Sequence, residues 1–256
     1  MSNDQNSKEK EIQNQDKHFA IDQVDPEIIR KWTQEQLENR EKLKLYDTEP
    51  WQINRQVFDD LNEYPNYQNE KLRYVAGLDI SFVKDEDTAC SGLFVFDLKD
   101  NFKCVYKDLE LIKMDQPYVP GFLAYREAPF LLKKLEKLKI NKLNYYPHCI
   151  FIDGNGLLHG NKFGMACHIG YHSDTPTIGV TGDCFELRSR LEGDNSLLGY
   201  CYRSTDQSSN PVYVSIGNKI SWSTCLWILK LVVKKYRIPE PIRQADLLTR
   251  DFLKNL

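Results

Sequence analysis

The sequence predicts an α/β fold, a sheet that starts as an antiparallel meander and continues with helices and strands in alternation. Three observations predict it. Three apolar runs rich in β-branched and aromatic residues, YVAGLDISF, CSGLFVFDL and FKCVYKDLELI, follow one another with only short polar breaks. After them, stretches with helical spacing alternate with short apolar runs, the pattern of a sheet flanked by helices. The chain of 256 residues, 41% hydrophobic and 28% charged, is long enough to bury a real core in a single domain.

The elements follow in order. Residues 1–24 are rich in Asn, Gln, Lys, Glu and Asp with almost no large apolar side chain. Such a stretch cannot bury enough surface to offset the entropy of ordering, so a disordered polar tail is expected there and a single domain over 25–256. Asp25-Pro26 opens a helix through IIRKWTQEQLENREKL, with Pro in its first turn and Ile29, Trp32, Gln36 and Leu37 on one face. Residues 46–69, with Pro50 and Pro65, read as an irregular connection that leads to the three strands. A helix then spans FLAYREAPFLLKKLEKL, its Leu123, Phe130, Leu131, Leu135 and Leu138 at helical spacing. HCIFIDG is a buried strand, FGMACHIGYH a helix, and PTIGVTG, LLGYCYR and PVYVSIG are further strands. A helix is expected over SWSTCLWILKLVVKKYR, ended by Pro239 and Pro241, which start the last one, IRQADLLTRDFLKNL.

Charge and cysteine content narrow the class. A net charge of -3 and a pI near 6.0 argue against a polybasic, histone-like binder, yet a local cationic groove can still attract nucleic acid. Seven cysteines without a C-x-x-C pair read as reduced thiols filling an intracellular core, not as a disulfide framework or zinc site. The N-terminus has no apolar signal region and no run approaches the roughly 18 apolar residues needed to cross a bilayer. A cytoplasmic or nuclear location is expected, with no membrane partner. Nothing demands a dimer, so a monomer is the default.

Three acids stand out. Asp79 lies inside an otherwise apolar strand, Asp153 ends another, and Glu127 is in the first turns of a helix. A buried carboxylate is costly unless it is paired or holds a cation. Two on different strands and a third on a neighbouring helix could converge on a hard divalent ion, which activates water and stabilises phosphoryl transfer. Ordinary turn and capping acids would read the same way. Pro117-Tyr118-Val119-Pro120-Gly121 is stiff and carries an aromatic, while Asp153-Gly154-Asn155-Gly156 is a turn that lets backbone amides approach a ligand. A wedge beside a glycine-lined pocket suits a protein that lifts a base out of its stack. Loops shaped only for packing fit equally. Cys167, His168, Trp222 and Trp227 read as packing residues, and Lys230, Lys234, Lys235 and Arg237 as a solvated helix face or as phosphate contacts.

Taken together, VAGLDISF, PYVPGFLAYRE, IDGNGLLHG, FGMACHIG, PTIGVTG, PVYVSIGNKIS and RIPEPIRQAD resemble the endonuclease V family in order and spacing, from about Trp32 to Arg250. The last block is most similar to the animal and other eukaryotic branch. The resemblance implies a ribonuclease H-like mixed sheet and a Mg²⁺ or Mn²⁺ ion held by Asp79, Glu127 and Asp153. It places a strand-separating wedge on Pro117, Tyr118, Val119 and Pro120. It places a pocket for flipped hypoxanthine on Gly121, Leu123, Gly154 and Gly156, with His159 and Gly164 nearby. The implied reaction hydrolyses the second phosphodiester bond 3′ of inosine in single- or double-stranded RNA or DNA.

Three of the family's functional positions differ here. Where the family reads Gly-Val-Ala-Lys, this chain reads Gly179-Val180-Thr181-Gly182, losing a fixed charge beside the phosphate. Where it reads Ser-x-Gly-His, this chain reads Ser215-Ile216-Gly217-Asn218. Asn218 is therefore expected among the catalytic groups, able to orient a water but not to titrate. Lys219 should point to the opposite face. The basic residue after His159 is displaced, with Lys162 the nearest substitute. Slower cleavage is expected, the alternative being a protein that binds inosine and marks or shields it without cutting.

Overall fold

The computed structural model describes residues 24–53, 71–84, 86–114, 116–182, 196–204 and 210–256. The polar tail expected over 1–24, apart from Val24, lies outside the described residues, as does Cys184. Five α-helices and seven strands occur among the described residues. Helix α1 (Pro26–Arg40) starts where Asp25 accepts a hydrogen bond from the Glu27 N–H and Pro26 occupies the first turn. Strands β1 (Tyr74–Phe82), β2 (Thr88–Asp97) and β3 (Lys103–Lys113) form the expected meander, each paired antiparallel with the next.

Helix α2 (Leu123–Asn141) carries the chain to β4 (Cys149–Asp153), which pairs parallel with β1. Helix α3 (Met165–Ser173) leads to β5 (Thr177–Thr181), parallel to β4. Strands β6 (Tyr200–Tyr202) and β7 (Val212–Asn218) close the sheet antiparallel, giving the order β3-β2-β1-β4-β5-β7-β6. Helices α4 (Trp222–Val232) and α5 (Glu240–Lys254) follow. This meander joined to parallel strands is the ribonuclease H-like arrangement that the resemblance implies.

One boundary differs. The apolar spacing extends α4 to Arg237, but the helix ends at Val232, with Val233 extended at φ -78 and ψ 122. Two β-branched residues lose side-chain freedom in a helix, and the adjacent like charges of Lys234 and Lys235 add nothing to hold it. Arg237 thus lies in a connection, off any helix face.

The two faces of the sheet bury different helices. Ala76, Leu78, Leu93, Val95, Ile150 and Ile152 pack with Leu131, Leu135 and Leu138 of α2 and Ile169 of α3. The alternate set, Val75, Phe94, Phe96, Cys149 and Phe151, faces Trp227 and Ile228 of α4 and Ile242 and Ala245 of α5. No described helix is long and apolar enough to cross a membrane. Cys90, Cys149, Cys167 and Cys225 are buried and unpaired as expected, whereas Cys104 and Cys201 are exposed and do not fill the core.

A buried ion pair ties α2 to β3. Lys134, 1% exposed, donates to Asp108 at 3.2 Å and to Glu110 at 3.3 Å. Burial alone would raise the Asp108 carboxyl, but the hydrogen bond from Lys137 and the charge of Lys134 hold it below the usual carboxylate range. Lys134→Met should lower stability by about 1–3 kcal/mol in urea denaturation, because Asp108 loses its buried cation and keeps only Lys137 and the Tyr106 hydroxyl.

Candidate active site

The register fixes the first two acids. Leu78 pairs with Ile152 in the parallel β1–β4 ladder, so the residues that follow are lateral neighbours, Asp79 within β1 just past that ladder and Asp153 at the carboxyl end of β4. By alternation both belong to the face covered by α5. Strand ends of this kind in open α/β sheets frame the crevice where ligands bind.

Asp79 is buried and clamped. Its Oδ2 accepts hydrogen bonds from Ser81 at 3.0 Å and from the Thr249 hydroxyl of α5. Thr249 is itself fully buried, and its hydroxyl lies 2.8 Å from Ser81 Oγ. Burial raises the Asp79 carboxyl, the two hydroxyls partly offset that, and the charge of Asp246 adds repulsion. Asp153 is exposed at the strand tip, yet the protein around it withdraws water. Burial, then the charges of Asp79 and Asp246, push its carboxyl up to about 6. Glu127, half-buried on α2, is pushed up to about 8 by burial and by Asp79 and Asp153, against the opposing charge of Arg126. The carboxyls named in the sequence therefore share one electrostatic neighbourhood.

Their convergence is partial. Among the described residues, no three acidic, histidine or cysteine side chains form a ready-made coordination shell. The donor chemistry nevertheless fits a hard divalent cation: oxygen donors whose negative charges oppose one another's ionisation. Asp246 belongs to this group and was missed in the sequence. The signal was there, since Asp246, Thr249 and Arg250 recur at helical spacing directly after the RIPEPIRQ block.

Asn218 is a correction. It is expected beside the carboxylates, but it sits at the other end of the sheet. β7 runs antiparallel to β5, so Asn218 pairs with Thr177 at the start of β5, whereas Asp153 pairs with Val180 toward its end. Three residues along a strand are roughly 10 Å. The side chain is 3% exposed and fully engaged. Its Oδ1 accepts from the Lys44 N–H at 2.9 Å and its Nδ2 donates to the Gly170 carbonyl at 2.9 Å. Lys219, at the same far end, pairs with Glu49 at 2.8 Å and Asp174 at 3.2 Å and brings no charge to the acids.

The wedge and pocket residues come together through a residue that sequence reasoning placed only on a helix face. Gln36 of α1, 1% exposed, donates to the Gly121 carbonyl at 3.1 Å and to the Phe163 carbonyl at 3.4 Å, and accepts from Asn161 at 2.7 Å. It thereby joins the 117–121 segment to the 154–164 loop. Within the wedge, Pro117 and Tyr118 are exposed and Pro120 is half-buried, but Val119 is 2% exposed and anchors the segment instead of presenting a surface. Leu123, half-buried, packs on the α2 side of the core.

Gly156 and Gly164 have a packing role that corrects the expectation of amides open to a ligand. A Cβ on Gly156 would lie 2.2 Å from the Ile216 carbonyl oxygen, and one on Gly164 would lie 2.3 Å from that of Asn155. The Gly156 N–H donates to Ser215 Oγ at 2.7 Å and the Gly164 N–H to the Gly156 carbonyl at 3.0 Å. Gly154 also spends its N–H, on the Val180 carbonyl, whereas a Cβ on Gly121 would meet open space. His159 Nδ1 accepts from the Asn161 N–H at 3.2 Å, which holds the loop, and Lys162 donates to Ser196 at 3.1 Å. His168 packs among Tyr125, Phe163 and His172, as expected of a core residue.

Comparison with known proteins adds relatives to this geometry. Residues 56–247 match the sequence model of a family described as endonuclease V. Mouse endonuclease V is 33% identical over 263 residues, spanning 93% of this chain and 73% of the mouse protein. The catalytic domain of human endonuclease V superposes with a TM-score of 0.78 at 32% identity, over 91% of this chain and 98% of the human one. Ciona intestinalis endonuclease V, solved in complex with a 24mer DNA containing an inosine followed by a ribo-adenosine, superposes with a TM-score of 0.76 at 28% identity, over 90% and 99% of the two chains.

Proposed function

The chain belongs to the endonuclease V family, and on that premise we propose that it is a divalent-metal-dependent endonuclease that hydrolyses a phosphodiester bond 3′ of inosine in RNA or DNA. The observation that carries this reading is the acid group: Asp79 and Asp153 side by side on parallel strands, with Glu127 within reach of both charges. The inosine-containing DNA bound to the Ciona relative supports the substrate class.

In this reading Asp79, Glu127 and Asp153 hold a Mg²⁺ or Mn²⁺ ion, which when bound supplies Lewis-acid activation of the phosphodiester and of the attacking water. The chain's own work is positioning. Ser81 and Thr249 fix one oxygen of Asp79 and so aim the carboxylate. In this reading Tyr118 and Pro117, both exposed, would displace a neighbouring base, and Gln36 ties their segment to the 154–164 loop through Gly121 and Phe163. The test is incubation of the protein with RNA and DNA oligonucleotides, each with and without a single inosine, in Mg²⁺ or Mn²⁺. Cleavage confined to the inosine strands is expected. Inosine-selective binding with no cut at enzyme excess would assign the non-cleaving role instead, and no preference for inosine would refute both.

The acid group also sets a pH dependence. Because Asp153 titrates near 6 and Glu127 near 8, the folded protein holds protons that the unfolded chain has already released. Their contribution to stability is full below the ordinary carboxylate range and is lost as pH rises through 6 to 8. Metal-free protein should accordingly melt at lower temperature at pH 8 than at pH 5. Mg²⁺ or Mn²⁺ should restore more at pH 8, since fewer protons are displaced there. A melting series across pH, with and without metal, checks both signs.

A further inference from the structure

An acid group facing a polyanion needs a fixed positive charge, and the end of β5 supplies the place for one. Gly182 follows β5, beside the strand that ends in Asp153. A Cβ built on Gly182 would meet Arg237 Nη2 at 3.1 Å, Nη1 at 3.3 Å and Cζ at 3.6 Å. The two Nη atoms are nearer than Cζ, so the guanidinium turns its Nη edge toward a residue with no side chain. Arg237 comes from the connection between α4 and α5, is half-buried, and is steadied by a hydrogen bond from Nη1 to the Pro211 carbonyl at 3.2 Å. Its charge reaches Asp153. The other cation that acts on Asp153 is Arg250, which is largely exposed and ion-paired with Asp246.

We propose that Arg237 is a phosphate-binding residue of the cleavage reaction, its guanidinium lodged against Gly182 to receive the phosphodiester beside Asp153. This rests on the nuclease reading above. The chemistry suits the role. A guanidinium stays charged at every working pH and offers five donors in a planar fork that matches phosphate oxygens. One of them is committed to Pro211. The absence of a side chain at 182 leaves the guanidinium its present position: a Cβ there would make it yield by a few tenths of an ångström.

Arg237→Gln removes the charge and keeps a donor for the Pro211 carbonyl, and Arg237→Lys keeps charge without the fork. Single-turnover cleavage of an inosine oligonucleotide should fall about 10²-fold in Arg237→Gln, the usual effect of losing one charge-stabilising donor, and less in Arg237→Lys. The slope of log binding constant against log salt should shrink by about one phosphate contact in Arg237→Gln, a change that a merely structural residue would not produce. Equal melting temperatures for the variants would confirm that the loss is local. Arg237→Gln cutting at the wild-type rate with an unchanged salt slope overturns the proposal while leaving the nuclease reading intact. A wild-type protein that binds inosine strands without cutting refutes the reaction, and the salt slope still decides whether Arg237 meets phosphate. Wild-type protein that neither binds nor cuts overturns both.

Discussion

Asp153→Asn should reduce inosine-directed cleavage by about 10³-fold or more, with Asp79→Asn at least as damaging. The magnitude follows from the role. A metal's stabilisation of developing charge is worth several kcal/mol, and about 4 kcal/mol is a factor of about 10³. An amide cannot carry the charge that grips a hard cation. Asp153→Asn is the cleaner test, because Asp153 is exposed at the end of β4 and, unlike Asp79, is not clamped by hydroxyls of the described residues. Its replacement also relieves repulsion on Glu127, so the metal-free variant should melt no lower than wild type. Retained cleavage in a stable Asp153→Asn protein would remove the acid group from the mechanism. Asp79→Asn carries a second cost, since an amide nitrogen facing the hydroxyls of Ser81 and Thr249 disturbs the clamp from α5.

Asn218→Ala should cost about 1–3 kcal/mol of stability and leave cleavage per folded molecule unchanged. The substitution strands the Lys44 N–H in a site that is 3% exposed, while the Gly170 carbonyl keeps the N–H groups of Asp174 and Thr175, and it undoes the link between the segment after α1 and the end of α3. Urea denaturation and single-turnover kinetics on the same preparation separate the two effects. A drop in the chemical rate at full folding would return Asn218 to the active site. By the same geometry, Asn218→His should not raise turnover, because the position lies at the wrong end of β7 to touch the reacting phosphate.

That contrast shows what was legible in the sequence. Apolar periodicity located the described helices and strands, since the alternation of Tyr74–Phe82 and the spacing of Leu131, Leu135 and Leu138 each have one structural solution. Asp79 and Asp153 were readable as well: a carboxylate in an apolar strand is costly, and parallel strands place such residues side by side. The direction of β7 was not readable. A short strand of alternating apolar residues looks the same run up or down a sheet, and on that direction alone depends whether Asn218 lies at the strand ends that carry the acids. Gln36 looked like one more residue on a helix face because its partners, Gly121 and Asn161, are 85 and 125 residues away. The glycines of the 154–164 loop were read for ligand access, but backbone-to-backbone proximity to Ile216 and Asn155 decides two of them, and no spacing rule reveals it.

The clamp on Asp79 has a consequence for the order of folding. Thr249, which holds that carboxylate, lies 170 residues further along the chain, in α5. The carboxylate is therefore aimed only once α5 has docked on the sheet, a contact of long sequence separation whose closure entropy must be offset first.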